Sequence, residues 1–395
     1  MKMHPHVVVG MLLAFAACLP VSTLEAAPRE RDSVRSSRKK ERPKRESSSK
    51  KKNSRKKADD TPKSSLRPSA KRPGPVVKMP SLAPDRNEPN FDAPWPGKVV
   101  GPGEEMEFKV KAGENGPWIY ETPHFEMRFD FEIGERTART LGRLLETGYE
   151  SGLALPCNSP VRAGDSRVKK YSLFVFAGQD EFVKTLGNNP IYRMVSALTR
   201  YPGIYLLQKT LPLKPDGQEW AIDKRRQPSV LKHELHHLVG KGNEDLGMWY
   251  IEGMAEYMLC TPYADGVLHF DLNEKPVLEY VTGYNEVYQG RQLGTKIAVP
   301  MPLKSFMNLG IAEFMSPQRA NFNYGVALLC AYYWAHLDGE GDAARLKRYV
   351  QVLQKRQGRE AAFNELAAGR SWEEIEKEFS AKYRKLGLEI TFAGE

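Results

Sequence analysis

His233, Glu234 and His237 are spaced as H-E-x-x-H within the run HELHH at 233–237. On a helix, residues i and i+4 lie on one face, so two imidazoles so placed can bind a single metal ion. Glu234, one step round, can reach a water on that ion and take its proton. The chemistry this set supports is hydrolysis by zinc-activated water, with His233 and His237 as ligands and Glu234 as general base. Leu231, Leu235, Leu238 and Val239 fall on the opposite side of the same helix, so one face can enter a core while the other lines a cleft. His236 points away from the pair and reads as a packing residue.

A catalytic zinc needs a third protein ligand and one open position. The stretch HELHHLVGKGN follows the metzincin pattern H-E-x-x-H-x-x-G-x-x-H as far as Gly240, then places Asn243 where the last His belongs. A neutral amide is a poor zinc ligand, so that pattern fails at its deciding position. The other candidate is WYIEGMAEY at 249–257. H-E-x-x-H followed on the next helix by W-x-x-E-G-x-A-E-Y resembles the gluzincin clan of zinc peptidases, and within it the peptidase-MA-like group, which includes a domain of unknown function. Ile251 stands where the clan's aminopeptidases carry Asn. The resemblance implies a zincin-like fold, peptide or protein substrates, and zinc held by His233, His237 and Glu252. Helical spacing is compatible with this: Glu252 and Glu256 are i and i+4, while Ile251, Met254 and Met258 turn the other way. Glu256 can then accept a hydrogen bond from a ligating imidazole. The resemblance further implies that Tyr324, in NYGVALL, donates a hydrogen bond to an oxyanion. Read from its neighbours alone, Tyr324 is equally an aromatic in the first turn of a core helix.

Positioning these residues requires an α+β arrangement: a small mixed strand and helix layer carrying the H-E-x-x-H helix, then a mainly helical half. Strand patterns are expected over Met106–Val110, Trp118–Phe131, Tyr171–Phe176 and Gly203–Leu211. Helices are expected over 134–153, around Phe182 and Leu186, and over 228–239 and 247–259. Residues 261–320 lack periodicity and read as loops with short helices. From Asn321 on, only helices are expected, the last opened by a capping box of Ser371 and Glu374. The domain layout is residues 1–26, 27–103, 104–260 and 261–395, the last completing the cleft.

Residues 1–26 read as a secretory signal: Lys2, an apolar run from Val7 to Ala17, and Leu24-Glu25-Ala26 ahead of the cleavage point. A secreted, periplasmic or cell-envelope location is expected. The formal net charge of +10 is concentrated in residues 28–80, where 20 Lys and Arg meet six acids, leaving residues 81–395 at −4. That stretch, part of the 27–103 tail and linker, is rich in Ser and Pro and has little apolar surface to bury, so it is expected to be disordered. It is suited to spacing, or to gripping an anionic envelope polymer or lipid headgroups. No aromatics interleave with its charges, so nucleic acid is not an expected partner. After signal removal Cys157, Cys260 and Cys330 remain. They allow one disulfide plus a thiol, or three buried thiols. The rival functional reading is a non-catalytic envelope module with a structural or vestigial zinc; an amide in peptidoglycan is the rival substrate.

Overall fold

The computed structural model describes residues 76–77, 89–111, 117–158, 169–217, 219–240, 246–283 and 290–394. The signal-like segment, nearly all of the basic stretch, and Asn243 lie outside the described residues. The architecture is α+β, as expected. Strands β1 (Val76–Val77) and β2 (Lys98–Val100) come first, followed by β3 (Lys109–Lys111), β4 (Trp118–Glu121) and β5 (Phe125–Phe129). In β5, FEMRF alternates buried and half-buried residues, the period of a strand with one face in a core. Helix α1 (Glu135–Ala154) crosses over to β6 (Tyr171–Phe176), which runs parallel to β5, the arrangement a strand–helix–strand unit imposes. Then follow α2 (Gln179–Thr185), β7 (Ala197–Arg200) and β8 (Gly203–Leu207), and a hairpin of β9 (Leu213–Asp216) and β10 (Glu219–Ile222).

The main sheet has the order β3-β4-β5-β6-β8-β7. Strands β5, β6 and β8 are parallel; β4 and β7 are antiparallel to their neighbours. Strand β7 therefore forms one edge. The expected strand over 203–211 stops at Leu207, where the chain turns into a short 3-10 segment over Gln208–Thr210.

The two motif helices come next, α3 (Ser229–Val239) and α4 (Met248–Cys260). Leu231, Leu235, Leu238 and Val239 of α3 join Leu141, Leu144 and Leu145 of α1 in the core on one face of the sheet. Gly148 and Gly152 let α1 and α3 approach: a β-carbon at Gly148 would lie 2.0 Å from Leu235 Cδ2, and one at Gly152 would lie 2.9 Å from Val239 Cγ2. Both are closer than side chains tolerate.

Beyond α4, β11 (Tyr263–Ala264) and β12 (Val267–His269) form a hairpin whose outer partner is β2, giving the sheet order β1-β2-β12-β11. This overturns two expectations. The Pro-rich lead-in is built into the fold before residue 104, with Trp95 buried and its Nε1 donating to the Tyr257 hydroxyl at 3.0 Å. Residues on either side of 260 pair in one sheet, and all described residues belong to one compact unit. Helix α5 (Glu274–Thr282), β13 (Lys296–Val299), α6 (Leu303–Met307) and α7 (Ile311–Phe314) follow. The helical half is completed by α8 (Ala320–Tyr332), continued by a π-helical turn at Tyr333–Leu337, and by α9 (Ala344–Gln354), α10 (Arg359–Ala367) and α11 (Trp372–Lys385). Helix α11 opens on the expected capping box: Ser371 Oγ accepts from Glu374 N at 3.2 Å, and Glu374 Oε2 accepts from Ser371 N at 2.8 Å. The chain does not end in helix. Strand β14 (Glu389–Phe392) pairs parallel with β13, burying Ile390 and Phe392.

Of the two cysteine alternatives, three buried thiols is the one found. Burial pushes Cys157 up to about 12 and also raises Cys260 and Cys330, so these groups stay protonated and unreactive. Among the described residues no helix is long and apolar enough to cross a membrane.

Candidate metal centre

Helices α3 and α4 bring His233, His237 and Glu252 together. The Nε2 atoms of His233 and His237 are 3.1 Å apart, and Glu252 Oε2 lies 3.5 Å from the first and 3.4 Å from the second. Ligand atoms about 2.0–2.2 Å from a tetrahedral ion are about 3.3–3.6 Å from one another. The three atoms thus form a triangle of the size of one face of a zinc tetrahedron. Among the described residues this is the one group of three His, Cys, Asp or Glu side chains gathered closely enough to hold a metal.

The electrostatics of the site suit a cation. Glu252 is fully buried, and neither of its carboxylate oxygens has a hydrogen-bond partner among the described residues. A buried carboxylate left so is costly unless a positive charge neutralises it. Without a metal that charge is a proton. Burial opposes a charge on His233, but Glu252 and Glu256 overcome it and raise the imidazole to about 10. Glu252 in turn is held down to about 2, against its burial, by His237 and His233. A divalent ion would replace that proton and bind directly to the three atoms that now face one another. The donor set of two imidazoles and one carboxylate suits zinc.

Two close approaches set this geometry. Gly253, directly after Glu252, allows α8 against α4: a β-carbon there would lie 2.4 Å from the carbonyl oxygen of Ala327. Lys232, buried beside His233, donates through Nζ to the carbonyl of Thr261 just past the end of α4. That bond joins α3 to the C-terminus of α4 and satisfies one of its last carbonyls.

Glu256 lies one turn beyond Glu252, and its Oε1 is 3.0 Å from Nδ1 of His233, the contact by which a carboxylate orients a ligating imidazole. Its other oxygen meets Arg291, Nε at 2.9 Å and Nη2 at 2.8 Å. Glu234 is buried, and its Oε2 accepts from Thr199 Oγ1 at 2.8 Å; the same hydroxyl lies 2.9 Å from the Glu234 carbonyl. Thr199 belongs to the edge strand β7, which packs along α3.

Tyr324, in the first turns of α8, reaches the site: its ring centroid is 6.2 Å from that of His233. It is almost fully buried, and its hydroxyl donates to Met315 Sδ at 3.6 Å. Burial first, then the Glu252 carboxylate, pushes the phenol well up, so it keeps its proton. His236 stays outside the ligand set. Burial, then the two neighbouring histidines, push it down to about 3, so it packs as a neutral ring.

Thr199, Lys232 and Arg291 were not foreseen. The clue for Lys232 was its place among Leu231, Leu235 and Leu238, where a charged residue needs a buried partner. Thr199 sits on a four-residue strand, and Arg291 follows a segment without periodicity, so neither carried a local signal. No protein-family model matches the chain, and no curated protein matches it.

Proposed function

We propose that the chain is a secreted, zinc-dependent hydrolase of gluzincin type, cleaving peptide bonds with Glu234 as general base. The observation that carries this reading is the buried Glu252 carboxylate, without a hydrogen-bond partner among the described residues, closing a tetrahedron-sized triangle with His233 and His237. A structural zinc has no use for an additional carboxylate beside its ligands, and Glu234 is such a group.

A zinc ion held by His233, His237 and Glu252 supplies Lewis acidity, polarising a carbonyl and lowering the pKa of water. The residues around it have separable tasks. Glu234 takes the proton of the attacking water and passes it to the leaving amine. Thr199 holds the Glu234 carboxylate from the side of the sheet. Among the described residues β7 pairs only with β8, and the backbone groups of its other edge, beside α3, can pair with an extended peptide chain laid along the helix. Tyr324 keeps its proton, so on turning from Met315 its hydroxyl can donate to the developing oxyanion. A zincin-like reading is supported by this order of parts: a mixed sheet with an antiparallel edge strand, the H-E-x-x-H helix packed beside it, and Glu252 on the following helix. The basic stretch at 28–80 would hold the mature protein to an anionic envelope polymer.

Metal content of the purified mature chain tests the reading. Wild type should carry about one zinc per chain; Glu252→Ala should lose it, and Asn243→Ala should keep it. A wild type that neither retains nor takes up zinc would leave a non-catalytic envelope module as the better description.

A further inference from the structure

We propose that Arg291 is a positioning residue of the candidate metal centre: its guanidinium holds the Glu256 carboxylate in place against Nδ1 of His233, and so sets how tightly His233, His237 and Glu252 bind a metal. The inference rests on the zinc-hydrolase reading above and concerns a residue that reading does not require.

Arg291 is nearly fully buried, as are Glu256, Tyr280 and Tyr324 around it, and its Nη1 also donates to Oδ1 of the exposed Asn321 at 3.4 Å. The Glu256 carboxylate divides its oxygens between two partners. Oε1 faces His233 Nδ1 at 3.0 Å, and Oε2 takes both Arg291 Nε and Nη2, at 2.9 and 2.8 Å. An arginine cannot itself ligate a metal, because it has no lone pair to give. Nε makes the hydrogen bond to Oε2, and the charge on Nη2 lies beside the same oxygen, a planar contact that an ammonium would not reproduce.

The guanidinium is fixed on its other sides. It lies 4.6 Å from the Tyr324 ring centroid and 5.4 Å from that of Tyr280, a cation against two aromatic faces. The Arg291 backbone N donates to the Tyr280 carbonyl at 2.6 Å, and its carbonyl accepts from Asn321 Nδ2 at 2.8 Å. Arg291 thereby ties α4 to the end of α5 and the start of α8, where Tyr324 sits.

The physical consequence concerns charge. Glu252 and Glu256 are two fully buried carboxylates one helical turn apart. Two such carboxylates repel unless a cation stands by. Arg291 is that cation for Glu256, leaving Glu252 to the metal. With Glu256 Oε1 held 3.0 Å from Nδ1, the proton of His233 is favoured on that nitrogen and its lone pair on Nε2, the atom facing His237 and Glu252.

The test is the zinc dissociation constant, measured by competition with a chromophoric chelator, together with the unfolding temperature of the metal-free protein. The chains are wild type, Arg291→Met, Glu256→Gln and the double variant. Each single change should weaken zinc binding roughly 10–100-fold, the range for losing a group that orients a ligand. The double variant should bind zinc no more weakly than the weaker single one, because both changes remove the same contact. A role in folding alone would lower the unfolding temperature of Arg291→Met and leave its zinc affinity at the wild-type value; that result overturns the proposal. Losses that multiply in the double variant overturn it too. Should Arg291→Met fail to fold with Glu256 left unpaired, the double variant, in which both buried charges are gone, is compared with Glu256→Gln alone. Equal affinities support the proposal, and a further tenfold loss overturns it. Failure of the wild type to bind zinc at all would instead refute the zinc-hydrolase reading, before any variant is compared.

Discussion

Among the described residues two histidines turn Nδ1 to a buried glutamate, and only one of these pairs belongs to the candidate metal centre. His233 Nδ1 faces Glu256 at 3.0 Å, and His124 Nδ1 faces Glu146 at 2.6 Å. In both, the carboxylate is almost wholly buried. The difference lies in what completes each pair. Glu146 is satisfied by neutral donors, the Thr122 hydroxyl at 2.6 Å and the His124 backbone N–H at 2.8 Å, and the imidazole stacks on Tyr149 with ring centroids 4.0 Å apart. Glu256 leans on a guanidinium, and the far nitrogen of its histidine meets a second imidazole and a second carboxylate. A histidine oriented by a carboxylate is thus a common structural unit. What makes a metal centre is the convergence of further donors on the other nitrogen, with one carboxylate left in need of a cation.

The comparison is broken most severely at Glu234, the carboxylate that follows His233 in the H-E-x-x-H helix. Glu234→Gln keeps the shape of the site and the zinc but removes the base. Turnover on a susceptible peptide should fall by about 10²–10⁴-fold with zinc content unchanged. Full activity in that variant would remove the general base from the mechanism and leave the H-E-x-x-H helix as a metal holder only.

A smaller effect separates the two regions by their response to pH. Lys232 lies between the motif helices, and burial pushes its amine down to about 7, with Cys260 acting weakly the other way. In the unfolded chain the same amine titrates near 10.4. Between these values the unfolded state binds the proton and the folded state does not, so this group's contribution to stability rises with pH across the window and is flat below about 7. Denaturant unfolding of wild type and Lys232→Met at pH 7 and pH 9 isolates the term. The stability of wild type relative to the variant should increase by about 2–3 kcal/mol from pH 7 to pH 9, at about 1.36 kcal/mol per unit of pKa. No change would mean that Lys232 stays charged on the Thr261 carbonyl in the folded protein.

How much of this could be read along the chain follows from the range of each contact. His233, Glu234 and His237 were legible because one turn of helix relates them, and Glu252 and Glu256 repeat that relation one helix later. The apolar side of α3 was legible for the same reason. Arg291 meets Glu256 across 35 positions, past a hairpin and α5, so no local rule points to it. Thr199 meets Glu234 across the same separation, from a strand too short to show alternation. In the fold, the strand pattern of EITF at 389–392 is visible once β13 is known to lie beside it. Its partner KIAV is some 90 residues away, and the helices between masked the change of period. Trp95 was passed over because its neighbours are prolines and an aspartate, which resemble a linker; its burial depends on Tyr257, 162 positions on.

The smallest effect tests the other histidine pair directly. Glu146→Gln retains the volume of the side chain but replaces a charged acceptor by a neutral amide. The Thr122 and His124 donors then lose a charge-assisted partner, and the amide brings its own hydrogens into a pocket that already supplies donors. Stability should fall by about 1.5–3 kcal/mol, the range for a hydrogen bond to a charged group, read as a lower midpoint in denaturant at unchanged slope. Zinc content should stay at the wild-type level, because no other His, Cys, Asp or Glu completes a metal set with His124 among the described residues. If zinc were lost along with the modest drop in stability, His124 and Glu146 would be coupled to the metal through α1 and its contact with α3 at Gly148 and Leu235. The two pairs would then be parts of one device, and the contrast between them would not stand.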